Sequence, residues 1–206
     1  MANNIADSRS DSPIRNRVGS MAGQFKTPLL ILGGFVVLAW FLELIDRLIL
    51  GGALDGLGVK PRSFSGLKGI LFMPFLHSGF GHLLSNTIPF IVLGALVMLS
   101  GLNTFFTVVG LSMVVSGVGV WLLGGANSVH IGASGVVFGL FGYLLTRAYF
   151  ERSLSAIIIA FAVLVFYGGI LWGLLPFWLG VSWLGHLFGF AGGVLAAYWL
   201  SKRQQP

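Results

Sequence analysis

The chain has 206 residues, of which 56% are hydrophobic and 9% are charged, and its formal net charge is +6. A soluble domain carries about 25% charged residues, so the composition excludes a soluble domain and predicts an integral membrane protein. The sequence has no cysteine, which excludes disulfides, thiolate metal sites and cysteine nucleophiles. The basic residues lie in tails and loops rather than on one face, so we expect no nucleic-acid partner.

Residues 1–27 are polar, carry both signs of charge and contain no cleavage site of the signal-peptide kind, so we expect a disordered cytoplasmic tail. Six apolar segments follow, each near the ~20 residues that a helix needs to cross the bilayer core. Their approximate bounds are 28–49, 82–99, 103–123, 133–150, 154–174 and 182–201. The predicted fold is therefore all-α, a polytopic bundle of six transmembrane helices over residues 28–201, followed by a short cytoplasmic tail, 202–206.

Three charged residues lie near the end of the first span: Glu43, Asp46 and Arg47. Glu43 and Arg47 are one helical turn apart and are predicted to pair near the membrane interface, with a functional role as the alternative. The long connection that follows contains the apolar run L-F-M-P-F-L, residues 71–76. This run is too short to cross the bilayer, and it predicts an interfacial or re-entrant segment in the outer leaflet.

Lysine and arginine are unevenly distributed between the two sides of the predicted bundle. With the N-terminus inside, eight of them lie on the cytoplasmic side and four on the other. The eight are Arg9, Arg15, Arg17, Lys26, Arg147, Arg152, Lys202 and Arg203; the four are Arg47, Lys60, Arg62 and Lys68. The positive-inside rule then predicts that both termini are cytoplasmic, so that the second, fourth and sixth spans begin on the outside.

Few polar groups occur within the apolar segments, and such groups are functional candidates in a membrane protein. They lie in three motifs: H-S-G-F-G-H-L-L-S-N with His77, His82 and Asn86, G-A-S-G with Ser134, and W-L-G-H-L-F-G-F-A-G-G with His186. These motifs mark the beginnings of the second, fourth and sixth spans. We therefore expect them at one depth in the membrane.

The spacing of residues indicates how these side chains meet. His82 and Asn86 share one helix face, as do Ser134 and Phe138. Two stripes of small residues permit close contact of the fourth and sixth spans: Gly135 and Gly139, and Gly185, Gly189 and Gly193. A serine nucleophile needs an adjacent base, and histidine is the usual one.

The fourth span is also short, about 17 residues and roughly 26 Å long. Its first turn is expected below the membrane surface, where free N–H groups favour developing negative charge.

Taken together, the three motifs resemble those of the rhomboid family of intramembrane serine proteases, over nearly all of the chain after residue 27. The resemblance implies a Ser134–His186 dyad, in which Ser134 attacks a peptide carbonyl and His186 acts as general base and then as acid. It also implies an oxyanion hole formed by His82, Asn86 and the Ser134 backbone N–H. The implied supporting residues are Gly132, Gly135, Phe138 and His77.

The same resemblance implies transmembrane protein substrates in a lipid bilayer, no cofactor and no metal. We expect a bacterial-type plasma membrane, with the active site opening outward. Many family members carry a Trp-Arg pair in the first loop, where this sequence has Lys68 and Gly69. His130 is interpreted as a loop residue, to which the family assigns no role.

Four other interpretations compete with this one. Ser134, taken alone, is a residue type favoured at a helix N-cap. The protein as a whole could be an inactive relative that binds membrane clients, although both Ser134 and His186 are present. A transporter or proton relay is not favoured, since the sequence has no inverted repeat and no acidic residue at the membrane midplane. A histidine metal site is not favoured either, because serine and asparagine are poor zinc ligands.

Overall fold

The computed structural model describes residues 13–177 and 180–203, with side chains from Lys26 onward. Within these ranges the chain is helical and has no β-strand; one isolated bridge pairs Val59 with His130. The α-helices are α1 (Pro13–Ile45), α2 (Gly69–Phe72), α3 (Phe80–Met98), α4 (Leu102–Leu123), α5 (Ser134–Glu151), α6 (Leu154–Tyr167) and α7 (Trp183–Arg203). A π-helical turn, Asp46–Leu50, extends α1, and 3₁₀ turns lie at Ala53–Leu57, Phe64–Gly66, Met73–Phe75 and Gly168–Leu174.

The predicted all-α membrane fold is confirmed. Five helical stretches are long and apolar enough to cross a membrane: Lys26–Leu50, Phe80–Met98, Leu102–Leu123, Leu154–Leu174 and Trp183–Arg203. The remaining predicted span, the fourth, is α5, in which every residue from Gly135 to Leu144 is buried. Because α5 faces other helices rather than lipid, it tolerates more polar character than the outer spans. The chain is an integral, multi-pass membrane protein.

Helix α1 extends further toward the N-terminus than the apolar pattern predicts. It begins at Pro13, inside the segment 1–27 that the sequence assigns to the tail. Residues 1–12 and 204–206 lie outside the described ranges, and the cytoplasmic location of both tails stays a prediction.

Helix α5 is the central helix of the bundle, packing mainly against α7 and also against α3, α4 and α6. Glycines bring the α5 and α7 backbones into contact. A Cβ on Gly189 would overlap the Gly135 carbonyl, and a Cβ on Gly193 would overlap the Gly139 carbonyl. The two predicted small-residue stripes therefore meet, and they hold the starts of α5 and α7 side by side.

The connection between α1 and α3 is bonded to the end of α4. The Arg62 guanidinium donates to the carbonyls of Leu122 (3.2 Å) and Gly124 (2.8 Å), and Trp121 Nε1 donates to the Ser63 carbonyl (2.9 Å). The predicted apolar segment, residues 71–76, is helical for most of its length and exposes Leu71 and Phe72 while it buries Met73, Pro74 and Leu76. One apolar face is thus available to lipid.

The predicted pairing of Glu43 with Arg47 is also present. Arg47 Nε donates to Glu43 Oε1 at 2.9 Å, and Glu43 is only 2% exposed. Arg47 Nη2 donates in addition to Asp55 (3.0 Å) and to the His77 carbonyl (3.2 Å). Burial raises the pKa of Asp55, and the Arg47 charge acts in the opposite direction. This arginine therefore ties the end of α1 to the loop that leads into α3.

Candidate active site

One cavity of about 660 Å³ lies where α3, α5 and α7 begin. Its lining includes His82, Asn86, Ser134, Phe138 and His186. The three sequence motifs are therefore brought together at one end of the bundle.

Ser134 is the first residue of α5, and Ala133 occupies the N-cap position without a side-chain hydrogen bond to the helix. A capping serine in this chain looks different: Ser153 precedes α6, and its hydroxyl accepts the Ala156 N–H at 3.2 Å. Ser134 thus lies one position too far along to be the cap. Its hydroxyl lines the cavity, at the helix end where free N–H groups carry partial positive charge.

Two glycines flank this serine for separate reasons. Gly132 has φ of +116°, which favours glycine, and its N–H donates to the Met73 carbonyl at 2.8 Å. A Cβ on Gly132 would also lie 2.8 Å from the His82 ring. A Cβ on Gly135 would lie 2.5 Å from the Ser116 hydroxyl. Both glycines leave room that a side chain would fill.

His186 lies in the first turn of α7 and is 8% exposed. Its Nδ1 lies 2.8 Å from the Gly173 carbonyl. A carbonyl only accepts, so Nδ1 carries the proton, and in the neutral ring Nε2 holds the basic lone pair. The ring stacks on Phe138, with centroids 4.2 Å apart and planes 9° from parallel. The aromatic neighbour one turn after Ser134 therefore packs directly on the histidine.

His82 has the opposite tautomer. Its Nδ1 lies 3.4 Å from the Ser78 backbone nitrogen and 3.2 Å from the Ser78 hydroxyl oxygen. The backbone N–H only donates, so Nδ1 accepts and the proton of the neutral ring lies on Nε2. That Nε2 is beside Gly132, next to the start of α5. Asn86 is 6% exposed, and its Nδ2 donates to the His82 carbonyl at 3.1 Å. An amide nitrogen has two donors, so one N–H of Asn86 remains for another acceptor.

His77 does not line this cavity. It is 1% exposed, and its Nε2 accepts the Ala133 N–H at 3.3 Å. Burial, together with the neighbouring His82, lowers the pKa of His77 to about 4. A neutral ring is required for Nε2 to accept, so His77 supports the backbone just before Ser134 without contributing to the cavity.

Among the residues that the structure describes, no hydrogen bond joins the Ser134 hydroxyl to His186. Catalytic hydrogen bonds are often long without substrate and shorten when it binds. Within the same described ranges, no group of three or more histidine, aspartate or glutamate side chains is arranged to hold a metal ion.

Three residues near the site were missed as contributors by sequence reasoning. Ser116 of α4 is fully buried and donates to the Gly185 carbonyl, beside His186, at 2.8 Å. The polar pair Ser112 and Ser116, four residues apart in an apolar span, was an available signal. Gly173 and His130 carried no such signal, because their contacts join segments that are distant in sequence.

A family model described as the Rhomboid domain matches residues 65–203. The chain belongs to the rhomboid family. Relatives include the uncharacterized proteins Rv1337 of Mycobacterium tuberculosis (strain H37Rv), 43% identical over 87% of this chain and 80% of the relative, and ML1171 of Mycobacterium leprae (strain TN), 42% identical over 83% and 70%. A Bacillus subtilis (strain 168) protein named "Putative rhomboid protease YdcA" is 32% identical over 63% of this chain and 65% of that protein.

Membership of the rhomboid family suggests intramembrane protease activity, and rhomboid proteases act on membrane proteins within a bilayer. The departure from the family pattern at Gly69 has a steric reason. A Cβ on Gly69 would overlap the backbone of Gly58 and Val59, so this rhomboid chain has no space for a larger residue there.

Proposed function

We propose that this rhomboid chain is a serine endopeptidase that hydrolyses peptide bonds in or near the transmembrane segments of membrane proteins. Ser134 is the nucleophile and His186 the general base. His82, Asn86 and the Ser134 backbone N–H stabilise the oxyanion. The observation that carries the proposal is the opposite polarity of two histidines in one cavity: His186 has a free basic nitrogen, and His82 has an N–H donor.

The first chemical step follows from these roles. As the Ser134 oxygen bonds to the substrate carbonyl carbon, its proton passes to His186 Nε2, and the carbonyl oxygen becomes an anion. His186 then gives that proton to the leaving amine as the peptide bond breaks. Water takes the place of the amine and releases the acyl group from Ser134 by the same route in reverse. The Gly173 carbonyl stabilises the imidazolium formed in between, since Nδ1–H donates to it.

Charge stabilisation is the second contribution. Oxyanion-hole donors are each worth about 3 kcal/mol in enzymes from which one has been removed. His82 Nε2–H and the second N–H of Asn86 are such donors, and both belong to α3. The Ser134 N–H adds the positive end of the α5 dipole. Donors from two helices thus converge on the position where negative charge develops.

The experiment is labelling of the purified protein in detergent with a fluorophosphonate probe. We expect the wild type to be labelled, Ser134→Ala to be unlabelled, and His186→Ala to be labelled roughly 1,000-fold more slowly. The control is Ser85→Ala, which removes another hydroxyl from the cavity lining and should leave labelling intact. Labelling that persists in Ser134→Ala would refute the nucleophile. A wild type that is never labelled would favour the inactive relative that binds membrane clients.

A further inference from the structure

His130 contacts both the first loop and the residue that precedes α7. Its backbone pairs with Val59 of the first loop through two hydrogen bonds of 2.9 Å. Its ring bonds to Ser128 through Nε2 (2.8 Å) and to Ser182 through Nδ1 (2.7 Å), and it lines the cavity itself. Besides its own loop, His130 thus contacts two segments that are distant in sequence, which a residue with only a connecting role does not need.

The direction of each ring bond follows from the neighbouring groups. The Ser128 hydroxyl donates to the Gly125 carbonyl at 2.7 Å, so its single proton is already used. It therefore accepts from His130 Nε2–H. In the neutral ring Nδ1 is then an acceptor, and the Ser182 hydroxyl donates to it. Burial lowers the pKa of His130, which favours this neutral form.

Ser182 connects the ring to the helix that carries the base. It immediately precedes α7, and its carbonyl accepts the His186 N–H at 3.1 Å, the first hydrogen bond of that helix. Serine at this position usually orients itself by accepting a helix N–H. Here the hydroxyl also donates its proton to His130, so the side chain of Ser182 is held by the segment before α5.

The same segment leads directly to the nucleophile. From His130 the chain continues through Gly132, bonded to the Met73 carbonyl, and Ala133, bonded to His77, and reaches Ser134 at the start of α5. One end of this short stretch is thus attached to the start of α7 and the other end is Ser134 itself.

We propose that His130 is a positioning residue, which holds the start of α7 at a fixed distance from the start of α5 and so aligns His186 with Ser134. This inference deepens the proposed function and rests on it for its consequence in catalysis. His130 does not contact the reacting atoms. It acts through Ser182, and the contact that matters is the one made by Nδ1.

Two substitutions separate the two ring contacts. An asparagine carboxamide has its oxygen near the position of Nδ1, so His130→Asn retains an acceptor for Ser182. A glutamine amide reaches the position of Nε2, so His130→Gln retains the donor to Ser128 and loses Ser182. We expect His130→Ala, His130→Gln and Ser182→Ala each to lower the fluorophosphonate labelling rate at saturating probe by about tenfold, since small misplacements of catalytic groups have large effects on rate.

His130→Asn should remain within about threefold of the wild type, and the double variant His130→Ala/Ser182→Ala should be no slower than either single one. The probe concentration for half-maximal rate should change little in all of them. Ser153→Ala removes the cap of α6, far from the site, and controls for loss of a capping serine: it should lower thermal stability without slowing labelling. Equal rates for His130→Asn and His130→Gln would overturn the inference.

A second measurement does not need an active enzyme. Amide hydrogen exchange over the first turns of α7 should accelerate at least tenfold in His130→Ala and in His130→Gln, but not in His130→Asn, with exchange at the start of α6 unchanged. Unchanged exchange at α7 would refute the positioning contact, whether or not the protein is labelled. The two proposals can also fail separately. If exchange accelerates in these variants while the wild-type protein is never labelled, the contact is supported and the proposed protease activity is refuted.

Discussion

The two cavity histidines differ in the backbone group that faces Nδ1. A carbonyl, that of Gly173, faces Nδ1 of His186, and an N–H, that of Ser78, faces Nδ1 of His82. In a neutral ring, a backbone acceptor at Nδ1 leaves Nε2 as an acceptor, and a backbone donor at Nδ1 leaves Nε2 as a donor. The tautomer of each histidine therefore depends on the loop geometry around Nδ1 as well as on the residue type.

Substitution of Gly173 tests whether its carbonyl orients His186. A Cβ there would lie 2.9 Å from the tip of the Phe138 ring and 3.1 Å from His186 Nδ1. We expect Gly173→Ala to displace the histidine from its carbonyl and to lower the labelling rate about tenfold or more. Gly169→Ala is the matched control, because a Cβ at that position of the same turn meets nothing within 4 Å. Equal rates for the two variants would contradict the proposed orientation of His186.

At the scale of elements, the crossing of α5 and α7 determines how close Ser134 and His186 can lie. Glycines allow the two backbones to touch at this crossing. Ser116 of α4 adds a hydrogen bond from its hydroxyl to the Gly185 carbonyl of α7. In a lipid environment such contacts replace the hydrophobic effect as the force between helices. The geometry of the site is thus set by the packing of helices over their whole length, not only at the cavity.

Substitution of Gly193 measures this packing away from the cavity. A Cβ there would overlap the Gly139 carbonyl and approach Tyr143 N, so Gly193→Ala must separate the two helices. We expect the free energy of unfolding to fall by about 1–3 kcal/mol. Thermal unfolding in detergent measures this change. Gly34→Ala in α1 adds a methyl group that meets nothing within 4 Å, and should stabilise the protein by about 0.5–1 kcal/mol. Changes of the same sign in both variants would contradict backbone contact.

The positions of the spans could be predicted from the sequence, because crossing a bilayer demands a long apolar run. The fourth span was predicted at residues 133–150 and is Ser134–Glu151. Polar residues at helix starts likewise stood out against the apolar background. The bonds of His186 to Gly173 and of His130 to Ser182 could not be predicted, since they depend on where separate loops meet in space. The turns of the first loop are each too short to produce a periodic pattern.

At the scale of the whole molecule, the orientation in the membrane is open to a direct test. The sequence has no cysteine, so single cysteines introduced at exposed serines are specific labels. With both termini cytoplasmic, a membrane-impermeant maleimide added to intact cells should label Ser65→Cys in the first loop and not Ser155→Cys in the first turn of α6. Inverted membrane vesicles should give the reverse result. Labelling of Ser155→Cys from outside would overturn the predicted orientation.

The burial of α5 also bears on how freely the sequence of this protein can change. Each residue from Gly135 to Leu144 is enclosed by other helices, whereas α6 exposes Phe161, Val165 and Phe166. A substitution in α6 exchanges one apolar group for another against fluid lipid, at little energetic cost. A substitution in α5 must be matched by a second one on a neighbouring helix. Evolutionary drift is therefore expected to be rapid at the rim of the bundle and coupled between positions at its centre.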